Sequence, residues 1–197
     1  GRNAKTFGQA VEAEHLPHTQ PAAGSFHKGM PQEGGEALAN RLLDLIALHD
    51  ASNIAAVIVE PFSGSAGVVV PPVGYLKRLR DICTQNNILL IFDEVITGFG
   101  RVGAWSGAEA FGVTPDIVNF AKQVTNGVIP MGGVVVSAEI HDTFMATAGA
   151  EYNVELPHGY TYSAHPVACA AALATLDVLQ QEDVPARGRG LAPHFQP

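Results

Sequence analysis

Short apolar runs alternate with amphipathic stretches through the middle of this chain, and three of the runs end on a charged residue. Residues 54–59 lead to Glu60, residues 88–92 to Asp93 and residues 117–121 to Lys122. A run such as Ile88, Leu89, Leu90, Ile91, Phe92 is too uniformly apolar for a half-exposed strand and predicts one covered on both faces, as in a parallel sheet. Between the first two runs, residues 75–85 carry Leu76, Leu79, Ile82 and Cys83 at helical spacing, with Lys77, Arg78, Arg80 and Asp81 on the other side. Strand, helix, strand makes a right-handed βαβ unit, closed by the turn residues Asn86 and Asn87. Residues 36–49 predict an earlier amphipathic helix with Leu38, Leu42, Leu45 and Ile46 on one face. After the third run, the connection through Asn126, Gly127 and Pro130 is too short for a parallel crossover. The strand over residues 132–137 should therefore run antiparallel.

Ser137 can cap a short helix bearing Ile140 and Phe144. Residues 167–180 predict an Ala-rich helix with Pro166 near its first turn. It is apolar almost all round, so it should be covered on most sides. From Glu182 onward, Pro185, Gly188 and Gly190 weaken helix, while residues 1–34 and 146–158 read as loop or irregular. The predicted fold is α/β, with a mostly parallel sheet and one antiparallel strand.

Open α/β sheets bind ligands at the carboxyl ends of their strands. That singles out Glu60, Asp93 and Lys122, although a charged residue at a strand end is more often simply solvated. Lys122 follows an apolar strand; a desolvated amine there would be a nucleophile toward carbonyls. Asp93 could hold a pyridine nitrogen protonated or could equally be a capped structural carboxylate. Gly98, Gly100 and Gly103 spell G-x-G-x-x-G, but residues 94–97 separate them from the strand and no clean helix follows. A nicotinamide oxidoreductase built on them is therefore a weak alternative to a Gly-rich loop that lets backbone approach a ligand or a neighbour. Ser65 lies in S-G-S-A-G, which lacks the first glycine of a nucleophile elbow. His15 and His18 flank Pro17, which prevents the helical spacing of a metal pair; they read as surface histidines, and no metal is expected.

The net charge of −8 and the absence of any Lys/Arg-rich run argue against nucleic acid or an anionic membrane as partner. No apolar stretch approaches the roughly 18 residues of a transmembrane helix. The two cysteines, Cys83 and Cys169, fall on apolar helix faces, which reads as reduced thiols in a cytoplasmic protein. The Gly-Arg-Asn start, without Met, reads as a piece of a longer chain.

Four segments together are more specific than any one residue: E-P-F-S-G-S-A-G, F-D-E-V-I-T-G-F-G-R-V-G, A-K-Q-V-T-N-G-V-I-P-M-G and G-Y-T-Y-S-A-H-P. In this order they resemble the class III, pyridoxal-phosphate-dependent aminotransferases, most closely the omega-amino acid–pyruvate (β-alanine–pyruvate) branch, in register to about Gln181. The resemblance implies that residues 1–181 are part of the large domain of a fold-type I enzyme and that 182–197 begin a C-terminal segment. It implies that Lys122 forms the internal aldimine and shuttles the substrate proton, and that Asp93 holds the ring nitrogen. Val95 would pack on the ring, from the same strand face as Asp93 if the extended path continues. Glu60 would support Asp93, and Thr161 would bind the cofactor phosphate of a neighbouring subunit. A homodimer or tetramer with shared active sites follows, with residues 158–165 as an interface loop.

Aminobutyrate- and ornithine-type relatives carry a Glu at the position of Ser65; its absence favours pyruvate as acceptor. The implied reaction is ping-pong transfer from an omega-amino acid or amine to pyruvate. An aminomutase or decarboxylase using the same cofactor is the alternative within the family. The family's phosphate-cradling loop, ring-stacking aromatic and carboxylate-binding arginine are not identifiable here, so the 197 residues alone are expected to be inactive, with an open hydrophobic sheet edge.

Overall fold

The computed structural model describes residues 13–20, 33–147 and 160–195. Its centre is a four-stranded sheet in the order β1 (Ala56–Val59), β2 (Leu89–Asp93), β3 (Ile117–Ala121), β4 (Gly132–Val136). The first three strands are parallel, with Val57 opposite Leu90 and Phe92 opposite Val118. β4 returns antiparallel to β3, pairing Asn119 with Val134, as the short connection requires.

Helices α1 (Gly35–Ala39), α2 (Arg41–His49) and α3 (Tyr75–Gln85) precede β2. α3 has the predicted bounds and buries the predicted face: Leu79, Ile82 and Cys83 are fully buried beside Leu90 and Phe92. Each such side chain contributes about 1.5–3 kcal/mol when removed from water. Gly74, left-handed at φ 83°, starts α3, and Asn87, at φ 54°, turns the chain into β2. The single helix predicted over residues 36–49 is two helices broken at Asn40, whose Oδ1 accepts a 2.7 Å bond from Arg78 Nε of α3. A hydrophobic stripe does not reveal such a break, because both halves keep the same periodicity.

At the sheet's other end, Asp116 fastens three strands. Its Oδ2 accepts from Leu90 N–H and from Arg80 Nη1, each at 2.7 Å, while its carbonyl accepts from Ser137 N–H at 2.8 Å.

Coverage of β2 differs from expectation. Leu90 and Phe92 are fully buried, but Leu89 on the opposite face is 37% exposed, and Ile58 on β1, the register partner of Ile91, is 58% exposed. Among the described residues, the helices packed on these strands all contribute to one face. α6 (Pro166–Gln181) likewise buries only Ala168, Ala172 and Leu179, and leaves Val167, Leu173 and Val178 exposed. β4 lies at the open edge with Val134 and Val135 exposed. No helix of the described residues is long and apolar enough to cross a membrane.

Two short helices complete the chain between β2 and α6: α4 (Gly107–Phe111) and α5 (Ala138–Thr147), the latter capped by Ser137 as predicted. The tail is a correction. Residues 184–195 form α7 (Val184–Phe195) despite Pro185, Gly188 and Gly190. Pro185 falls in the first turn, where its missing N–H breaks no helical bond. Gly188 faces Gly103, and a Cβ there would sit 3.7 Å from the Gly103 Cα, an ordinary packing distance.

Burial pushes the Cys83 thiol up to about 11 from the ordinary 9.0, with the Arg80 charge pulling it down and Asp116 pushing it up. The folded value lies above the unfolded one. The stability this contributes is therefore complete below about 9 and is lost as pH rises toward about 11. Cys83 should resist a thiol reagent at about pH 8 until denaturant is added. Thermal midpoints should fall more steeply through the alkaline window for the parent protein than for Cys83→Ala.

Candidate active site

The strand order sets three sequence-predicted residues side by side. Glu60 follows Val59, whose register partner is Phe92; Asp93 closes β2; Lys122 follows Ala121 at the end of β3. All three therefore stand at the carboxyl edge of the parallel strands, the edge where ligands of open α/β sheets bind.

Asp93 is the last residue of the β2 ladder and pairs with Asn119. Strand alternation puts it opposite Phe92, off the core side. It is half-buried, and its Oδ1 accepts a 3.1 Å bond from Val95 N–H. Its Oδ2 has no hydrogen-bond partner among the described residues. The extended path stops at Asp93, so the condition under which strand alternation would carry Val95 to the same face is not met. Val95 is half-buried within the turn.

Lys122 is exposed, and its amine makes no hydrogen bond or ion pair among the described residues. It has φ 52°, a left-handed conformation uncommon for a side chain with a Cβ, and it opens a 3₁₀ turn (Lys122–Thr125). Such strain persists only where surrounding structure enforces it and is concentrated at functional sites. Here Val124 and Thr125 are buried, Thr125 Oγ1 donates to Ile129 O at 2.7 Å, and α6 packs against the turn. The left-handed residue also takes position 122 out of the alternation of β3.

Glu60 turns back on its own loop: its Oε2 accepts from Gly64 N–H at 2.9 Å. Ser65 in that loop is exposed. Thr161 is exposed in the turn before α6, and no contact joins it to Asp93 or Lys122 among the described residues. Residues 158 and 159 of the predicted interface loop lie outside the described residues. The glycine motif forms a turn in which Gly100 N–H donates to Ala104 O and Gly103 N–H to Gly100 O. No helix opens on Gly103; α4 starts later, capped by Ser106. The glycines serve close approach to α7, whose Arg189 donates through Nη1 to Gly103 O. Among the described residues no three His, Cys, Asp or Glu side chains group as a metal site.

Sequence reasoning passed over Glu94. It is 1% exposed and its carboxylate is filled: Oε2 accepts from Thr97 Oγ1 at 2.9 Å and from Gly107 N–H at 2.5 Å, and Oε1 from Ala108 N–H at 2.9 Å. The signal was a second acid directly after the strand-end acid, with Thr97 three residues on.

Parallel strands that present an amine and a carboxylate at one edge place both where ligands of open α/β sheets bind. The sequence comparisons give the family. A family model described as aminotransferase class-III matches residues 4–194, and the chain belongs to that family. It is 66% identical over 196 residues to a beta-alanine–pyruvate aminotransferase of Pseudomonas aeruginosa, covering 100% of this chain and 44% of that protein. It is 64% identical to an omega-amino acid–pyruvate aminotransferase of Pseudomonas putida, covering 98% and 43%. The chain thus spans less than half the length of these relatives. Among solved structures, an amine transaminase from an uncultivated Pseudomonas species, in its PLP-bound internal aldimine form, matches with a TM-score of 0.75. The match has 44% identity over 82% of this chain and 37% of that one.

Gly107 tests how tightly this edge is packed. A Cβ there would fall 2.6 Å from Pro61 Cβ and 3.2 Å from Glu94 Oε2, whereas one at Gly190 meets nothing within 4 Å. Gly107→Ala should cost about 1–3 kcal/mol, read as a lowered thermal midpoint. Gly190→Ala, on a helix, should be neutral or stabilise by up to about 1 kcal/mol.

Proposed function

We propose that the protein containing this chain is a pyridoxal-phosphate-dependent aminotransferase. It moves an amino group from an omega-amino acid or amine, such as β-alanine, to pyruvate in two half-reactions. The observation that carries this reading is Lys122 and Asp93 at neighbouring strand ends, each with its reactive atom unengaged by the described chain. That donor set fits the cofactor: an amine for an aldehyde, and a carboxylate oxygen for a ring nitrogen. Identity of 66% and 64% with pyruvate-using relatives supports the acceptor.

When bound, pyridoxal phosphate supplies an aldehyde and a protonated ring that draws electrons from the substrate's amine-bearing carbon. Lys122 would hold the cofactor through its amine and would move the proton at that carbon. Asp93 Oδ2 would hold the ring nitrogen protonated, while Val95 N–H steadies Oδ1. Glu60 supports this edge through its own loop, and Val95 would pack against the ring. Thr161, exposed on this chain, would bind the phosphate across a dimer or tetramer interface. Residues 1–181 belong to the cofactor-binding domain and 182–197 begin the next segment of a cytoplasmic enzyme.

The test uses the full-length protein. Borohydride reduction followed by peptide mass spectrometry should find the cofactor on Lys122, and Lys122→Ala should abolish both this adduct and alanine formation from β-alanine and pyruvate. Asp93→Asn should keep the adduct but lower kcat on the order of a hundredfold or more. An adduct without pyruvate-dependent alanine would point to an aminomutase or decarboxylase, and the absence of any adduct overturns the reading.

A further inference from the structure

Glu94 makes more hydrogen bonds than any function proposed so far requires. Besides the three accepted by its carboxylate, its N–H donates to Asn119 O at 2.8 Å and its carbonyl accepts from Gly98 N–H at 3.0 Å. These bonds run to separate places. Asn119 is the register partner of Asp93 and lies three residues before Lys122. Thr97 and Gly98 belong to the turn that contains Val95, the residue whose N–H holds Asp93 Oδ1. Gly107 and Ala108 open α4, and Gly107 lies against Pro61, next to Glu60. The Glu94 carboxylate therefore ties the turn after Asp93 to the start of α4, while its backbone N–H joins that turn to the strand that leads to Lys122.

A carboxylate does this in a way its amide cannot. Three donors converge on Oε1 and Oε2, and both oxygens must accept. In Glu94→Gln one of those positions becomes an NH₂ group set against an N–H or an O–H. The displaced donor is left buried without an acceptor, and the turn must open to relieve it. Val95 N–H moves with that turn, and Asp93 loses the bond that orients it.

We infer that Glu94 is a positioning residue that acts on the cofactor through Asp93, its carboxylate holding the 94–98 turn against the start of α4. The inference rests on the proposed reading of Lys122 and Asp93. It predicts a coupling: the effect of Glu94→Gln is large only while residue 93 is an aspartate.

The experiment is a double-mutant cycle in the full-length protein, comparing the parent, Glu94→Gln, Asp93→Asn and the double variant. The dissociation constant of pyridoxal phosphate for each apoprotein is measured, and the pH titration of the bound cofactor's visible absorption is recorded. In the parent background, Glu94→Gln should weaken cofactor binding about tenfold or more and displace the absorption titration toward that of Asp93→Asn. In the background that already carries Asp93→Asn, the further loss should be under about twofold. Equal losses in both backgrounds would show that Glu94 merely stabilises the fold and would overturn the inference; so would no loss in either. Should Glu94→Gln not fold, Thr97→Val removes one donor from Oε2 with little change of shape. The same coupling to residue 93 is then expected at a few-fold, and its absence overturns the inference. Borohydride trapping on Lys122 in the parent protein separates the two claims: without trapping the cofactor reading fails, and with trapping but no coupling only the role of Glu94 fails.

Discussion

The parallel pairing of β2 with β3 is the constraint on which the rest of the structure depends. It sets Asp93 level with Asn119, so that an acid at the end of one strand and an amine three residues further along the next emerge at the same sheet edge. It also divides β2 between two environments. Leu90 and Phe92 lock the strand to α3, and the residues between them face away from that core. A one-residue slip would exchange the two sets, burying Asp93 against Ile82 and Cys83. Register is therefore held by hydrophobic packing on one face, and the site inherits its position from it. Asp116 reinforces the same register from the opposite edge by binding Leu90 N–H directly.

Much of this was legible in the sequence because it follows from periodicity. The bounds of α3 and β3 and the antiparallel return of β4 came from apolar spacing and loop length alone. The charged strand ends were legible because parallel topology forces them to one edge. What escaped depends on contacts between residues distant in the chain. The break at Asn40 is fastened by Arg78, and the helix at residues 184–195 forms against Gly103, far back along the chain. Local propensity argued against that helix, and packing outweighed it. The turn at Val95 escaped because the Asp93 side chain bonds backbone two residues on, a competition with extended structure that apolar patterning does not register.

The glycines at 98, 100 and 103 show how the same letters acquire different meanings. In a dinucleotide site, such glycines would join a strand directly to a helix whose first turn receives a pyrophosphate. Here the strand ends before Glu94 and the helix waits until Gly107, so the intervening segment folds on itself as a turn. Its lack of side chains serves contact with α7 instead. Gly103 cannot take a Cβ without meeting Arg189 Cγ at 2.7 Å, whereas Gly188 on the helix has room for one at ordinary contact distance. Spacing alone does not separate these uses; the distance to the next helix does.

Asp93 and Glu94 are adjacent carboxylates with opposite inventories of hydrogen bonds. Glu94 is buried, and both of its oxygens are engaged by donors from its own chain, so it has nothing left to offer a ligand. Without those donors its burial would be prohibitively costly, which makes the turn it organises as rigid as the core beside it. Asp93 is half-buried and uses one oxygen on Val95, keeping the other available at the edge that Lys122 shares. One acid is spent on the turn that follows the strand, and its neighbour at the strand's last position leaves an oxygen free at the sheet edge.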